Sequence, residues 1–193
     1  MGRLYLNRAY LAGPMDRAAD GGIQWRQKMV PWLNSRGIVA FDPTNKPCDV
    51  GVETPWSRAI RREARSRGDL SLTLADKAVR QIDLRMVDVT DFTIVNLDMS
   101  QQPCGTFEEL FWGNREKKPI LVHSTNGKLN APDWLFWTIP HEHIFDSWDD
   151  LKAYIDHINT APLEQIQTLK RWVFFDLEPI YNQAINGYLG DNL

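Results

Sequence analysis

The run FTIVNL, residues 92–97, constrains the fold of this chain more than any other stretch. Apolar and β-branched side chains dominate it, which marks a strand with apolar cover on both faces. Helical patterns flank it on either side. LTLADKAVRQIDLRMVDVTD precedes it and places Leu74, Ala78, Ile82 and Met86 at steps of four along one helix face. After it, the loop DMSQQPC leads into GTFEEL, the start of a second helical segment.

The same alternation runs through the rest of the chain. LYLNRAYLAG reads as a buried first strand ending at the Gly13-Pro14 turn. Residues 22–35 carry Trp25, Met29, Trp32 and Leu33 at helical spacing, with Pro31 inside as a point where the helix can kink and Gly37 as its stop. Ile38 to Phe41 form a short second strand closed by Asp42-Pro43. Pro119 to His123 supply another strand, APDWLFWTIP fits no element clearly, and HIFDSWDDLKAYIDHI gives a short strand followed by a helix. That helix has Ser147 at its N-cap, Asp150 three residues on, and Leu151, Tyr154, Ile155 and Ile158 on one face. Residues 44–71 interrupt the rhythm and read as an Arg-rich insertion; residues 162–190 read as a C-terminal helical tail broken near Pro179. Strands alternating with helices imply one three-layer α/β domain over residues 1–193, with a parallel sheet of about five strands.

Composition narrows the function. A net charge of −3 provides no basic field for nucleic acid or an anionic membrane, which favours a small-molecule partner. No window approaches the roughly 18 apolar residues of a membrane span, and Cys48 and Cys104 form no CxxC pair, so a soluble, cytoplasmic protein without a metal or organic cofactor is expected. Four histidines, among them His123 at a strand end, show no metal-ligand spacing. The 8 Trp residues suit either a core or an oligomer interface.

In parallel α/β sheets ligands bind beyond the carboxyl ends of the strands. That rule gathers Tyr10 and AGPMD after the first strand, Asp42 after the second, and DMSQQPCGTFEE after the third onto one rim, with Asp83 on the helix feeding the central strand. Two carboxyl groups and a phenol at a helix N-terminus suit attack on a glycosidic bond, one carboxylate meeting an oxocarbenium-like carbon while another group protonates the leaving atom. A plain alternative stands beside this. Thr106 followed three residues later by Glu109 fits a capping box, in which Glu109 only holds up the start of its helix.

YLAGPMD, the pair Trp25-Arg26, FDP, DLRMVDVTD and CGTFEEL followed by KKPILV occur in that order over residues 5–123, and together they resemble the nucleoside 2-deoxyribosyltransferases, including related nucleotide N-glycosidases. The resemblance implies a flavodoxin-like fold and cleavage of the N-glycosidic bond of a (2-deoxy)nucleoside or nucleotide, with transfer of the sugar to another base. It implies Glu109 as nucleophile, ahead of its neighbour Glu108, Asp83 as proton donor to the base, and Tyr10 as the hydroxyl that orients the nucleophile. Gly13, Pro14, Asp16, Arg26, Asp42, Asp98, Gly105 and Thr106 become substrate-binding candidates, and a homo-oligomer is implied, with the Trp-rich region and the tail as interface candidates. Hydrolysis of a nucleoside 5′-monophosphate is the alternative, and a non-catalytic nucleotide-binding module is the second.

The departures lie in two places. The family carries an Asp six residues before its nucleophile, where this chain has Pro103, and Asp98 is the candidate to take its place. The arginines of the insertion, Arg58, Arg61, Arg62, Arg65 and Arg67, either gather a phosphate or, as Glu63 and Asp69 among them favour, form a solvated, salt-bridged face. Cys104 at a helix start is a weaker, thiol-based candidate.

Overall fold

The apolar run at 92–97 forms the central strand of a five-stranded, wholly parallel sheet in a computed structural model that describes residues 2–46, 53–162, 172 and 186. In chain order the principal elements are β1 (Arg8–Ala12), α1 (Ile23–Asn34), β2 (Val39–Phe41), α2 (Pro55–Ser66), α3 (Thr73–Val89), β3 (Phe92–Leu97), α4 (Cys104–Arg115), β4 (Ile120–Ser124), α5 (Asp133–Thr138), β5 (Ile144–Phe145) and α6 (Trp148–Thr160). The strand order is β2-β1-β3-β4-β5, the flavodoxin-like order expected from the sequence. Cys48 and the expected tail, apart from Pro162, Trp172 and Asn186, lie outside the described residues.

Side chains alternate across the sheet with the two-residue period of a strand. Ala9, Leu11, Phe92, Ile94 and Leu121 face α1 and α6, where Met29, Leu33, Leu151, Ile155 and Ile158 complete one core. Tyr10, Ala12, Val95, Leu97 and Val122 face α3, α4 and α5, meeting Met86, Val87, Leu110 and Leu135. This alternation decides the chemistry, because it sends the Tyr10 side chain toward α4 and not toward α1.

Four helices show how far local rules reach. Ser147 caps α6 as expected, its hydroxyl accepting from the Asp150 backbone N–H at 3.1 Å. APDWLFWTIP, unplaced by its pattern, supplies the short helix α5. The expected stripe on α3 holds at its C-terminal end, where Met86 is buried and Ile82 packs on the core, but not at Leu74, which is 76% exposed; Asp83, Leu84 and Val87 join the buried face. The insertion holds α2, begun by Pro55 and by a reciprocal cap in which Thr54 Oγ1 accepts from Ser57 N and Ser57 Oγ from Thr54 N, each at 3.0 Å.

Candidate active site

Sheet order reverses direction at β1 and β3, and a crevice opens beyond their carboxyl ends. A cavity of about 310 Å³ occupies it, lined by Gly13, Pro14 and Asp16 after β1, Asp83 of α3, Pro103, Gly105, Thr106 and Glu109 around the start of α4, and Arg58 of α2.

The turn after β1 is held from behind. Arg26 is fully buried; its Nε and Nη2 donate to Leu11 O at 3.1 and 3.0 Å, Nη2 also donates to Gly13 O at 3.1 Å, and Nη1 donates to Gly22 O at 2.7 Å. Asp42 lies 3.6 Å from Arg26 Nε and accepts from the Thr44 N–H at 2.8 Å and the Thr44 hydroxyl at 2.7 Å. Gly22 closes the loop at φ 75, where a Cβ would fall 2.3 Å from Pro14 O. Arg26 and Asp42 thus stand behind the crevice and off its lining. Asp98 is off the lining too, accepting from the Ser100 N–H at 2.9 Å and hydroxyl at 2.6 Å to start a short 3-10 turn.

Glu109 does not cap its helix. Helix α4 begins at Cys104, directly after Pro103 and with no side-chain cap, so Thr106 already lies inside the first turn and the capping-box reading fails. Glu109 Oε1 instead accepts the Tyr10 hydroxyl at 2.7 Å. Tyr10 is fully buried, so its ring is fixed by the core and its hydroxyl fixes the carboxyl. Glu108, one residue earlier, is engaged outside, where Arg80 Nε donates to its Oε2 at 2.9 Å. Cys104 is an exposed free thiol. His123 pairs with Asn96 Oδ1 at 2.9 Å and stacks on Trp148 at 4.2 Å, off the lining.

Asp83 has a partner that the sequence reading missed: Lys46 Nζ stands 2.7 Å from its Oδ1. Lys46 follows β2 by a few residues, so the strand-end rule applied to this lysine would have found it.

The environment raises both carboxyls. Burial pushes Glu109 to about 8, with Asp83 adding to the rise and the Tyr10 hydrogen bond opposing it. Glu109 keeps part of its surface on the crevice, so water tempers this push without changing its direction. Burial also raises Asp83, to about 6, against the Lys46 ammonium that favours its charge. The order is the reverse of the sequence-based assignment of an ionised Glu109 and an acid-form Asp83. Burial is the main cause of both rises, and Lys46 offsets it at Asp83, whereas Glu109 has the neutral Tyr10 phenol. Near pH 7 the pair therefore carries about one proton, resting mainly on Glu109. Burial and the two carboxyls hold the Tyr10 phenol well above its ordinary range, so it stays a donor. Among the described residues, no group of three His, Cys, Asp or Glu side chains is placed to hold a metal ion, and no helix is long and apolar enough to cross a membrane.

No protein-family model matches the sequence, and no curated protein matches it. Solved structures do. A 2-deoxyribosyltransferase from Bacillus psychrosaccharolyticus is 20% identical with a TM-score of 0.53, the match covering 76% of this chain and 91% of that one. A 2-desoxiribosyltransferase from Leishmania mexicana is 18% identical with a TM-score of 0.51, over 77% and 96% of the two chains. A conserved protein from Enterococcus faecalis V583 is 15% identical with a TM-score of 0.50, over 79% and 98%. The sheet order, the helices on both faces and these matches together give the chain the fold of the 2-deoxyribosyltransferases.

Proposed function

We propose that the chain cleaves the N-glycosidic bond of a (2-deoxy)nucleoside or nucleotide and transfers the deoxyribosyl group to another base, with Glu109 as nucleophile. The observation that carries this reading is the 2.7 Å hydrogen bond from the buried Tyr10 hydroxyl to Glu109 Oε1 at the edge of the crevice. A carboxyl that caps its own helix folds back on that helix, and this one is held by another element. The 2-deoxyribosyltransferases of the same fold act on the same class of bond.

The site's single proton fits the reaction. In the reactive arrangement Asp83 takes the proton and Glu109 is ionised, the Tyr10 hydroxyl supporting the charge. Glu109 attacks C1′ as the C1′–N bond breaks, and its electron pair leaves on the base, which takes the proton from Asp83. The product is an ester between Glu109 and the sugar. A second base then attacks C1′, expels the Glu109 carboxylate and returns a proton to Asp83, and two inversions retain the configuration. Water in place of the second base gives hydrolysis.

Chromatography of purified protein with deoxynucleosides and their monophosphates, with and without a second free base, tests the reading. Exchange of one base for another is expected from the native chain, with Glu109→Ala and Glu109→Gln folded and inactive. Free base with no exchanged product would make the chain a hydrolase. Turnover retained by both variants would remove Glu109 from the chemistry.

A further inference from the structure

The insertion that the family resemblance leaves unmatched carries a side chain into the crevice. Arg58 of α2 is 8% exposed and lines the cavity that holds Glu109 and Asp83. Its guanidinium lies against the loop after β1, since a Cβ on Gly21 would fall 2.7 Å from Arg58 Nη2. Three other arginines around this cavity are neutralised locally. Arg61 Nε pairs with Asp76 at 2.9 Å, Arg65 Nη1 reaches the same carboxylate at 3.4 Å, and Arg80 holds Glu108. Even Asp16 on the lip is taken, by Arg62 at 2.8 Å. Arg58 has no carboxylate partner among the described residues, and none of its nitrogens is among the side-chain atoms sealed from solvent without a hydrogen bond. A nine-tenths buried cation on the lining of the crevice is thus left with unspent donors. Arg17, on the loop after β1, lines the same cavity and also lacks a partner among the described residues.

Burying an unpaired guanidinium is unfavourable unless a ligand completes it, and a planar fork of N–H groups matches the oxygens of a phosphate. We propose that Arg58, assisted by Arg17, is an anion subsite that takes the 5′-phosphate of the substrate, so that the chain acts on nucleoside monophosphates in preference to nucleosides. The expectation of a wholly salt-bridged arginine face thereby holds for Arg61, Arg62, Arg65 and Arg67 but not for Arg58. The proposal deepens the Glu109 reading and rests on it for the identity of the nucleoside portion. A phosphate could also arrive as the free ion, and the test separates the two sources.

Calorimetric titration of Glu109→Gln with a deoxynucleoside monophosphate and with its parent deoxynucleoside measures the preference without turnover. Kinetics of the native chain measure it with turnover. Tighter binding and higher kcat/KM for the monophosphate are expected, with that preference reduced about 10- to 100-fold by Arg58→Gln, the range set by charge-assisted hydrogen bonds. A smaller reduction is expected for Arg58→Lys and Arg17→Gln, and none for Arg67→Gln, a residue of the same insertion off the cavity lining. Inorganic phosphate should compete with the monophosphate. Equal binding of monophosphate and nucleoside, or a preference untouched by both Arg58→Lys and Arg17→Gln, overturns the proposal even if Arg58→Gln fails to fold. Saturable acceleration of nucleoside cleavage by inorganic phosphate also overturns it, assigning the subsite to a free ion. Activity surviving in Glu109→Gln together with an Arg58-dependent preference would sink the nucleophile assignment and leave the phosphate subsite standing.

Discussion

Tyr10→Phe removes one oxygen and keeps the ring that the core holds. Tyr10 is fully buried and its hydroxyl donates to Glu109 Oε1 at 2.7 Å, so the substitution deletes a hydrogen bond that favours the charged form of Glu109. A hydrogen bond to a charged group contributes roughly 1.5–3 kcal/mol, and each pKa unit corresponds to about 1.4 kcal/mol. The sign follows directly. Glu109 already sits at about 8, and loss of a donor that lowers it must raise it further, by roughly 1–2 units on these magnitudes. In the proposed mechanism Glu109 attacks as the carboxylate, and at pH 7 it lies below its midpoint, so each added unit removes close to a factor of ten in kcat. A loss of about 10- to 100-fold at pH 7 is therefore expected, shrinking steadily as the pH rises through 8 and beyond, with KM nearly unchanged. A pH profile of kcat for the native chain and Tyr10→Phe is the assay, with circular dichroism to establish equal folding. Because the reactive arrangement also needs the proton on Asp83, the group with the lower pKa, the alkaline limb of kcat reports Glu109, and an alkaline limb that stays at the same pH in both proteins refutes the reasoning, whatever the size of the overall loss.

Three further predictions concern the groups around Glu109. Glu109→Gln should stabilise the protein at alkaline pH. A folded-state pKa raised above the unfolded carboxyl's roughly 4.3 contributes stability that is fully present below that value and is lost as pH rises toward about 8, so removing the carboxyl should raise stability by about 1–3 kcal/mol at pH 9. Thermal melts at pH 5 and pH 9 read this, and a uniform loss of about 1 kcal/mol would restore the helix-cap role. Lys46→Met should shift the Asp83 titration upward from about 6, by roughly a unit or more, because the ammonium 2.7 Å away is what lowers it; carboxyl-carbon NMR measures the shift, and an unmoved titration contradicts the pairing. Arg26→Met should cost about 3 kcal/mol or more by urea denaturation, since it strips donors from the carbonyls of Leu11, Gly13 and Gly22 and leaves Asp42 without its cation; a loss below about 1 kcal/mol would mean that the turn supports itself.

The fold was legible because its signals are local or periodic. FTIVNL, the alternating faces of β1 and the Ser147 cap each depend on near neighbours in sequence, and each lies where the pattern puts it. The site was legible in part, because the strand-end rule and the ordered motifs bring Tyr10, Asp83 and Glu109 to one crevice. Tertiary pairing decided the rest. Thr106 and Glu109 have the spacing of a capping box, but Pro103 lets the helix begin at Cys104, so that spacing falls inside α4. Leu74 heads a stripe that reads as buried, yet the face of α3 turned inward is the one bearing Asp83, a residue made tolerable there by Lys46 from a distant loop. Arg26 is a fixed support behind the turn because carbonyls from three places converge on it, which spacing cannot reveal. Arg58 differs from Arg61 and Arg65, which line the same cavity, in being buried there without a carboxylate partner among the described residues, and spacing cannot reveal that.

Rapid acid quenching of the native chain during turnover of a deoxynucleoside or its monophosphate, followed by peptide mass spectrometry, tests the central claim most directly. The account predicts a deoxyribosyl ester on Glu109, absent from Glu109→Gln. An ester on Glu108 or Asp83, or base release with no modified peptide when chemistry is fast and the adduct's breakdown slow, would contradict it.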